Sequence, residues 1–499
     1  MQLALPPADA WQPLPAAEWN ADAARHLLRR AGWTAQPAAV ERALSEGLPA
    51  TLDRLFPREP SLLPKPKMIE RAEQEAPIYA QKVRTLSGDE RRAAERMARE
   101  RSQMAVQDLA IKWLQFAAQP DTSGFAKWVL FLSDVYVVSA EKVRNMPFVY
   151  QHFDVLARHG LGPAPELTKA VSRSPAMVLY LDLNGSQRRA PNENFARELF
   201  ELFVLGEGNY TEADIKEAAR AFTGYRAQVL FGGFRYVPNQ HDDGEKTIFD
   251  QTGKFTGDDV IDLAYRQNAA STFLPREMAK FYLGDSPLPA EYLDPLGAEW
   301  RKNNHDLRTL VHQFFGSRLF FAPEFRGGFI KSPVQFYLGL VQDLGLDIAP
   351  LPRFTLNPMR QMGQLLFHPP NVRGWLGGRS WINSATLAAR RQLVETLFTA
   401  IEEKNLNADE LIDLVAARTN GSENFTVTEQ HFLSTLAQLA PAEQAERLVR
   451  TFLGESVAAE FTASLRQFIA SPSPGPFQEF RRLKRAAVAL LQSPEYQLC

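Results

Sequence analysis

Apolar positions recur at three- and four-residue spacing through most of the chain, the period of helices with one buried face. Trp19 to Ala31 reads as a first amphipathic helix, stopped at Gly32. A charged stretch follows from about Lys65 to Gln119, with Pro77 and Gly88 as expected breaks. Its Asp89–Arg101 portion mixes both signs at i,i+4 spacing, the pattern of a solvated helix face. From Phe125 to Ser139 the run is apolar nearly all round, which predicts a buried helix. Pro147, Pro163, Pro165, Pro175 and Pro191 then stand near the starts of shorter helices, where the missing N–H does least harm.

The texture changes between Gln228 and Gln251. Val229 to Val237 holds two β-rich pieces around Gly232-Gly233, which predicts a hairpin. After Phe255 helices resume and run to Gln492, with loops at Asn420–Asn424 and Ser471–Pro476. The expected fold is mainly α: a large multi-helix body with a small inserted β-hairpin flap at about 228–251. Its expected parts are an N-terminal helical region (1–120), a helical core with the flap (121–400) and a C-terminal helical region (401–499).

The segment Pro191–Tyr225 predicts two helices joined by Gly206–Tyr210. Thr211 caps the second, with Asp214 three residues on, and Gly224 ends it in a left-handed conformation. On the first helix Asn194, Arg197, Glu198 and Glu201 fall within about 100° of one another, and apolar residues fill most of the remaining circumference. So narrow a polar stripe either looks onto solvent, with Arg197 neutralising Glu198 and Glu201, or walls a cleft. In a cleft, paired carboxylates are pushed to different proton affinities and divide acid and base roles.

Bulk composition narrows the classes. Of 499 residues, 45% are hydrophobic and 23% charged, as in ordinary globular proteins. Lysine and arginine number 56 against 58 acidic residues, so no overall field favours nucleic acid or an anionic membrane. The one cysteine, Cys499, rules out an internal disulfide and thiolate metal sites. The stretch Trp128–Val138 is too short to span a bilayer. The N-terminus lacks the basic and apolar regions of a secretory signal. The expected location is cytoplasmic as the chain stands, or the periplasm or cell envelope if an export signal is missing from it.

Among eight histidines, His241 stands just after the flap, beside Asp242 and Asp243 and followed by Lys246. Neighbouring carboxylates favour a charged imidazole, suited to acid or base work near neutral pH, although a plain loop histidine fits as well. Neither Glu198 nor Glu201 has a histidine three residues on, and no His-Glu-x-x-His occurs. Glu198, Glu201 and His241 can still converge on one divalent metal. His305 and His312, seven apart on an expected helix, read as packing or surface residues. No nucleotide or flavin motif and no nucleophile elbow appears, although Lys246, Lys331, Arg373 and Arg276 can form an anion-binding ring. Trp375 and Trp381 lie in a glycine-rich loop with Asn371 and Asn383. Tryptophan faces beside amides suit a sugar or other flat-faced ligand; the alternative is that they plug the core.

The stretch from Asn192 to Gly206, with Tyr210-Thr-Glu-Ala-Asp214 and Ala219-Arg-Ala-Phe-Thr-Gly224, resembles the signature block of the domain of unknown function 1800 family. His241-Asp-Asp-Gly-Glu-Lys-Thr247, Lys331-Ser-Pro333, Gly363-Gln, Pro369-Pro-Asn-Val-Arg-Gly-Trp375, Trp381-Ile-Asn383 with Arg390, and Ser493-Pro-Glu-Tyr-Gln497 are similar to its further elements, in order, from about Ala24 onward. The resemblance implies a bacterial family without settled activity, whose members often carry export signals and stand beside genes of a sulfatase-like family. The expected function is an enzyme, a hydrolase or group transferase, acting on an anionic or polyhydroxylated, carbohydrate-like substrate. Glu198, Glu201 and His241 are the candidate catalytic residues. Asn192, Asn194, Arg197, Asp242, Lys246, Lys331, Asn371, Arg373, Trp375, Trp381 and Asn383 are the candidate binding residues. The alternative is a non-catalytic binding or assembly protein, partnering a sulfatase-like hydrolase, in which these polar groups form a buried structural network.

Overall fold

The computed structural model describes residues 3–228, 233–436, 438–453, 459–471 and 476–499. Helices dominate, and the described strands form two separate two-stranded sheets. The first amphipathic helix is Ala21–Ala31, where the Asn20 side chain accepts from the N–H groups of Asp22 and Ala23 and Gly32 ends it. Ser123–Val135 is buried along nearly its whole circumference because helices surround it: Ala21–Ala31, Pro37–Leu55, Gly88–Ala117, Met146–His159 and Ala270–Tyr282. Each large apolar side chain buried there contributes about 1.5–3 kcal/mol. That surrounding is the physical source of its apolar pattern, and it buries Lys127 and leaves Asp134 half-buried near the end of the same helix.

Several boundaries differ from expectation. Ser123–Val135 stops four residues short, and Tyr136–Ser139 leave the helix without leaving the core. Pro77 lies inside the Lys67–Val83 helix instead of breaking it. Gly88, with φ +54, does stand at the break before Gly88–Ala117. His305 precedes the Leu307–Phe315 helix and has φ +53, so it shares no helix with His312.

The flap is two hairpins. Strand β1 (Tyr225–Gln228) pairs antiparallel with β2 (Gly233–Tyr236), Tyr225 opposite Tyr236. The expected turn at Gly232 lies outside the described residues. Strand β3 (Lys246–Ile248) pairs with β4 (Gln251–Gly253) across a turn in which Phe249 and Asp250 both have positive φ. No glycine or asparagine announces that turn. It is held from outside, by the Phe249 N–H on Asp214 Oδ1 at 2.7 Å.

Buried apolar side chains from Ala10 to Tyr496 form one continuous core, with a small satellite of Ala349, Leu414 and Phe425. No helix among the described residues is long and apolar enough to cross a membrane.

Candidate functional site

The polar stripe begins on the Asn194–Glu198 helix and continues on a π-helix, Leu199–Val204. Leu205 and Gly206 both donate to the Phe200 carbonyl, at 2.9 and 3.0 Å. The wider turn changes the angular step after Glu198, which a straight helical wheel does not anticipate; such bulges gather at functional sites. Arg197 does not neutralise the two glutamates in the expected manner. It grips Glu212 with both terminal nitrogens, at 2.7 and 2.8 Å, and reaches Glu193 at 3.4 Å. Glu201 instead meets Arg373 at 2.6 Å and accepts the Tyr210 hydroxyl at 2.9 Å, while Arg373 also holds Glu207 at 2.7 Å. Burial, and then the charge of Glu201, raise the carboxyl of Glu198 above its ordinary range. Asn192 turns the chain by accepting from the Asn194 N–H, and the Asn194 amide reaches Asp182 at 3.3 Å.

His241 lies elsewhere in the bonding pattern. It is buried, with Nδ1 3.1 Å from the Thr223 carbonyl and its ring 5.6 Å from that of Tyr236. The loop after it is knotted onto the Glu212–Ala221 helix. Arg220 binds Asp242 at 2.7 and 3.2 Å and Glu217 at 2.6 Å; Lys246, buried, donates to the carbonyls of Asp242 and Gly244 at 2.6 and 3.0 Å. Gly224 sits beneath the knot at φ +85, where a Cβ would come within 2.7 Å of the Val237 carbonyl. Among the described residues no three His, Cys, Asp or Glu side chains gather as a metal-holding group, so Glu198, Glu201 and His241 do not converge as one.

Lys331 is buried in a third place. Its ammonium lies 3.6 Å from the centre of the Tyr496 ring, and its carbonyl accepts from Arg390 at 2.8 Å. Burial lowers it to about 8, against the attraction of Asp343, whose own carboxyl burial raises. Asp343 accepts from Thr34 at 2.5 Å and Tyr496 at 2.8 Å. Of the four cations expected to form an anion-binding ring, Lys246, Lys331 and Arg373 each have protein partners, and Arg276 is exposed.

The loop with the two tryptophans leads into a hollow. Asn371 starts it by accepting from the Arg373 N–H at 2.8 Å, and Asn383 ends it by capping the Ser384–Leu397 helix. Between them Trp375 and Trp381 wall a slot with Trp33, Phe131, Phe281 and Phe329. Its cavity volume is about 60 Å³, and it opens to solvent. The polar lining comes from four directions: Lys127 and Asp134 from Ser123–Val135, Glu277 and Lys280 from Ala270–Tyr282 with Asp285 beyond it, Ser332 and Gln335 at the start of Pro333–Asp343, and Gln364.

Carboxylates seat the loop. The Trp375 N–H donates to Asp134 Oδ1 and the Arg379 N–H to Asp285 Oδ2, both at 2.9 Å. Gly374 and Gly378 have positive φ, and a Cβ on either would overlap Asp134 or Asp285 respectively, so the close approach requires glycine. Burial, and then the charge of Glu277, push Asp134 up to about 7, against the Trp375 N–H and Lys280. Its Oδ2 makes no hydrogen bond among the described residues and is not sealed from the slot. Burial likewise lowers Lys127 to about 7.

Lys127 and Asp134 were missed as site residues by sequence reasoning, yet a signal existed. Two ionisable groups seven apart on an otherwise apolar helix lie on one face, and burial on that face demands a partner or a cavity. Glu277, Asp285, Gln335 and Gln364 carried no such mark.

No curated protein and no solved structure matches the chain. A family model described as "Protein of unknown function (DUF1800)" matches residues 26–498.

Proposed function

We propose, for a chain that belongs to this family of proteins of unknown function, that the slot between Trp375, Trp381 and Asp134 binds a polyhydroxylated, flat-faced ligand on which paired carboxylates act. The supporting observation is that stacking faces and carboxyl groups share one hollow: the two tryptophans lie beside Asp134, Glu277 and Asp285. Aromatic faces take up the apolar side of a sugar ring, while fixed polar groups set its orientation. Asp134 holds a proton near neutrality, with one oxygen open to the slot. It is therefore suited to protonate a departing oxygen as Glu277 takes the proton of an attacking water or hydroxyl. That division of labour between two carboxyls is the one expected for hydrolysis or group transfer.

In this reading Glu198 and Glu201 serve the site through Arg373. Glu201 holds Arg373, and Arg373 precedes the Gly374–Trp375 turn on Asp134. His241 and Lys246 secure the flap. A second reading, binding without turnover, draws on the buried bonding of Lys246 and Lys331, which accounts for two family elements without chemistry.

The deciding experiment combines tryptophan fluorescence titration with soluble mono- and oligosaccharides and turnover of a panel of nitrophenyl glycosides. Binding that Trp375→Ala abolishes, with turnover that Asp134→Asn removes while binding persists, supports the enzyme. Binding without turnover selects the second reading. Absence of any saccharide response in the wild-type protein overturns both.

A further inference from the structure

The slot is polar in a graded way. Lys127, Gln335 and Gln364 are 4%, 1% and 3% exposed, so they form its floor, while Lys280 and Asp285 are exposed at its mouth. The floor is cationic. Lys127 donates to the carbonyls of Gly32 at 2.8 Å and Arg29 at 3.4 Å, and no carboxylate among the described residues forms an ion pair with it. Among its charged neighbours Cys499 acts most strongly, favouring the ammonium, while Arg30 and Lys331 repel it less. An ammonium has three protons to donate, and the two carbonyls use two.

The amides beside it are half-used. Gln335 donates through Nε2 to the Arg29 carbonyl at 2.8 Å and to Cys499 Sγ at 3.3 Å, while its Oε1 has no hydrogen bond among the described residues. Gln364 accepts through Oε1 from the Val334 N–H at 3.1 Å, while its Nε2 has none. Neither free atom is sealed away from the slot, although both side chains are buried, and both residues line it. The floor therefore offers two donors, Lys127 Nζ and Gln364 Nε2, beside one acceptor, Gln335 Oε1.

From this arrangement we infer that the ligand is a sugar acid, bound with its carboxylate inward on Lys127 and Gln364 and an adjacent hydroxyl donating to Gln335 Oε1. A carboxylate accepts from two donors at once, and a neighbouring hydroxyl supplies the proton that Gln335 needs. The exposed charges at the mouth are mixed, Asp285 and Lys280, whereas the charged group of the floor is an ammonium, which favours the carboxylate inward. An amine-bearing sugar would instead set its cation against Lys127. The inference rests on the slot being the ligand site.

The test is a fluorescence titration of the intact protein with D-glucuronate, its methyl ester and D-glucose. Glucuronate is expected to bind at least tenfold tighter than either neutral probe. Lys127→Met and Gln364→Leu are expected to bring the three affinities together. Gln364→Leu keeps the test decisive if Lys127→Met fails to fold, which a thermal melt reports. Equal affinity for the three probes, abolished by Trp375→Ala, overturns the sugar-acid inference and leaves the slot as the ligand site. No response to any of them, while other saccharides bind, also overturns it. No response to any saccharide overturns both.

Discussion

Lys127 and Asp134 stand seven residues apart on one helix, face the same slot and are both displaced by burial to about 7, the cation downward and the acid upward. Their consequences for stability have opposite signs. Between about 4 and 7 the folded chain keeps the Asp134 proton that the unfolded chain has lost, so stability from this group falls as pH rises. From about 7 to 10 the unfolded chain keeps the Lys127 proton that the folded chain has lost, so stability rises with pH. The two contributions meet in a minimum near neutrality. Subtracting the pH-dependent stability of Asp134→Asn from that of wild type is expected to isolate the acid limb, and the same subtraction for Lys127→Met the alkaline limb. A flat difference curve for Asp134→Asn between pH 4 and 7 refutes the burial of that carboxyl.

The glycine loop gives a steric prediction. Gly378→Ala must both adopt a left-handed backbone and displace Asp285, whereas Gly377→Ala meets only the first difficulty, with nothing within 4 Å of its Cβ. Gly377→Ala is expected to cost about 1–3 kcal/mol, because φ 76 with ψ −174 is a backbone conformation that essentially only glycine adopts. Gly378→Ala should cost clearly more and shift the emission of Trp375 and Trp381, read by denaturant melts and fluorescence. Equal losses at the two positions would show that Asp285 yields freely.

Lys331 separates a structural from a binding role. Lys331→Met leaves Asp343 with its hydrogen bonds to Thr34 and Tyr496 but without the cation. It also removes the ammonium from the Tyr496 ring, a contact of about 0.5–2 kcal/mol, while Arg29 still attracts Asp343. A lower melting temperature with unchanged saccharide affinity is the expected result. Lost affinity without lost stability would return Lys331 to the ligand.

The glutamates of the polar stripe should behave unequally. Glu198 is raised above its ordinary range, so its ionisation in the folded chain opposes stability as pH rises toward neutral. Glu198→Gln is therefore expected to melt at or above the wild-type temperature at pH 7. Glu201→Gln loosens a pair whose arginine is 56% exposed, a change of about 0–1 kcal/mol. His241→Ala, which removes a buried ring bonded to the Thr223 carbonyl, is expected to cost about 1–3 kcal/mol. Equal losses for all three would make the stripe and the flap histidine one network.

Much of this architecture was legible because it is local. The Ala21–Ala31 helix, the Thr211–Asp214 cap, the turn at Gly224 and the presence of a small hairpin after it follow from spacing and from residues with fixed conformational preferences. Strand β1 nevertheless begins at Tyr225, ahead of the expected piece at Val229. Where a distant group decides the outcome, the sequence is silent. Asp214 stabilises the left-handed Phe249–Asp250 turn from 35 residues away, and the π-helix at Leu199 alters an otherwise regular wheel. The tryptophans of the slot could be picked out as flat faces, but their carboxyl partners come from segments about 90 to 240 residues upstream.

Among the described residues the loop from Arg373 to Trp381 is tethered at points that do not involve the Leu376 side chain. Asp134 and Asp285 grasp backbone N–H groups, Glu201 and Glu207 grasp a single guanidinium, and Leu376 stands 77% exposed at the slot's rim. Exchanging Leu376 therefore leaves every tether in place while reshaping the doorway, which makes this one position a dial for ligand choice that descent or design can turn without rebuilding the frame.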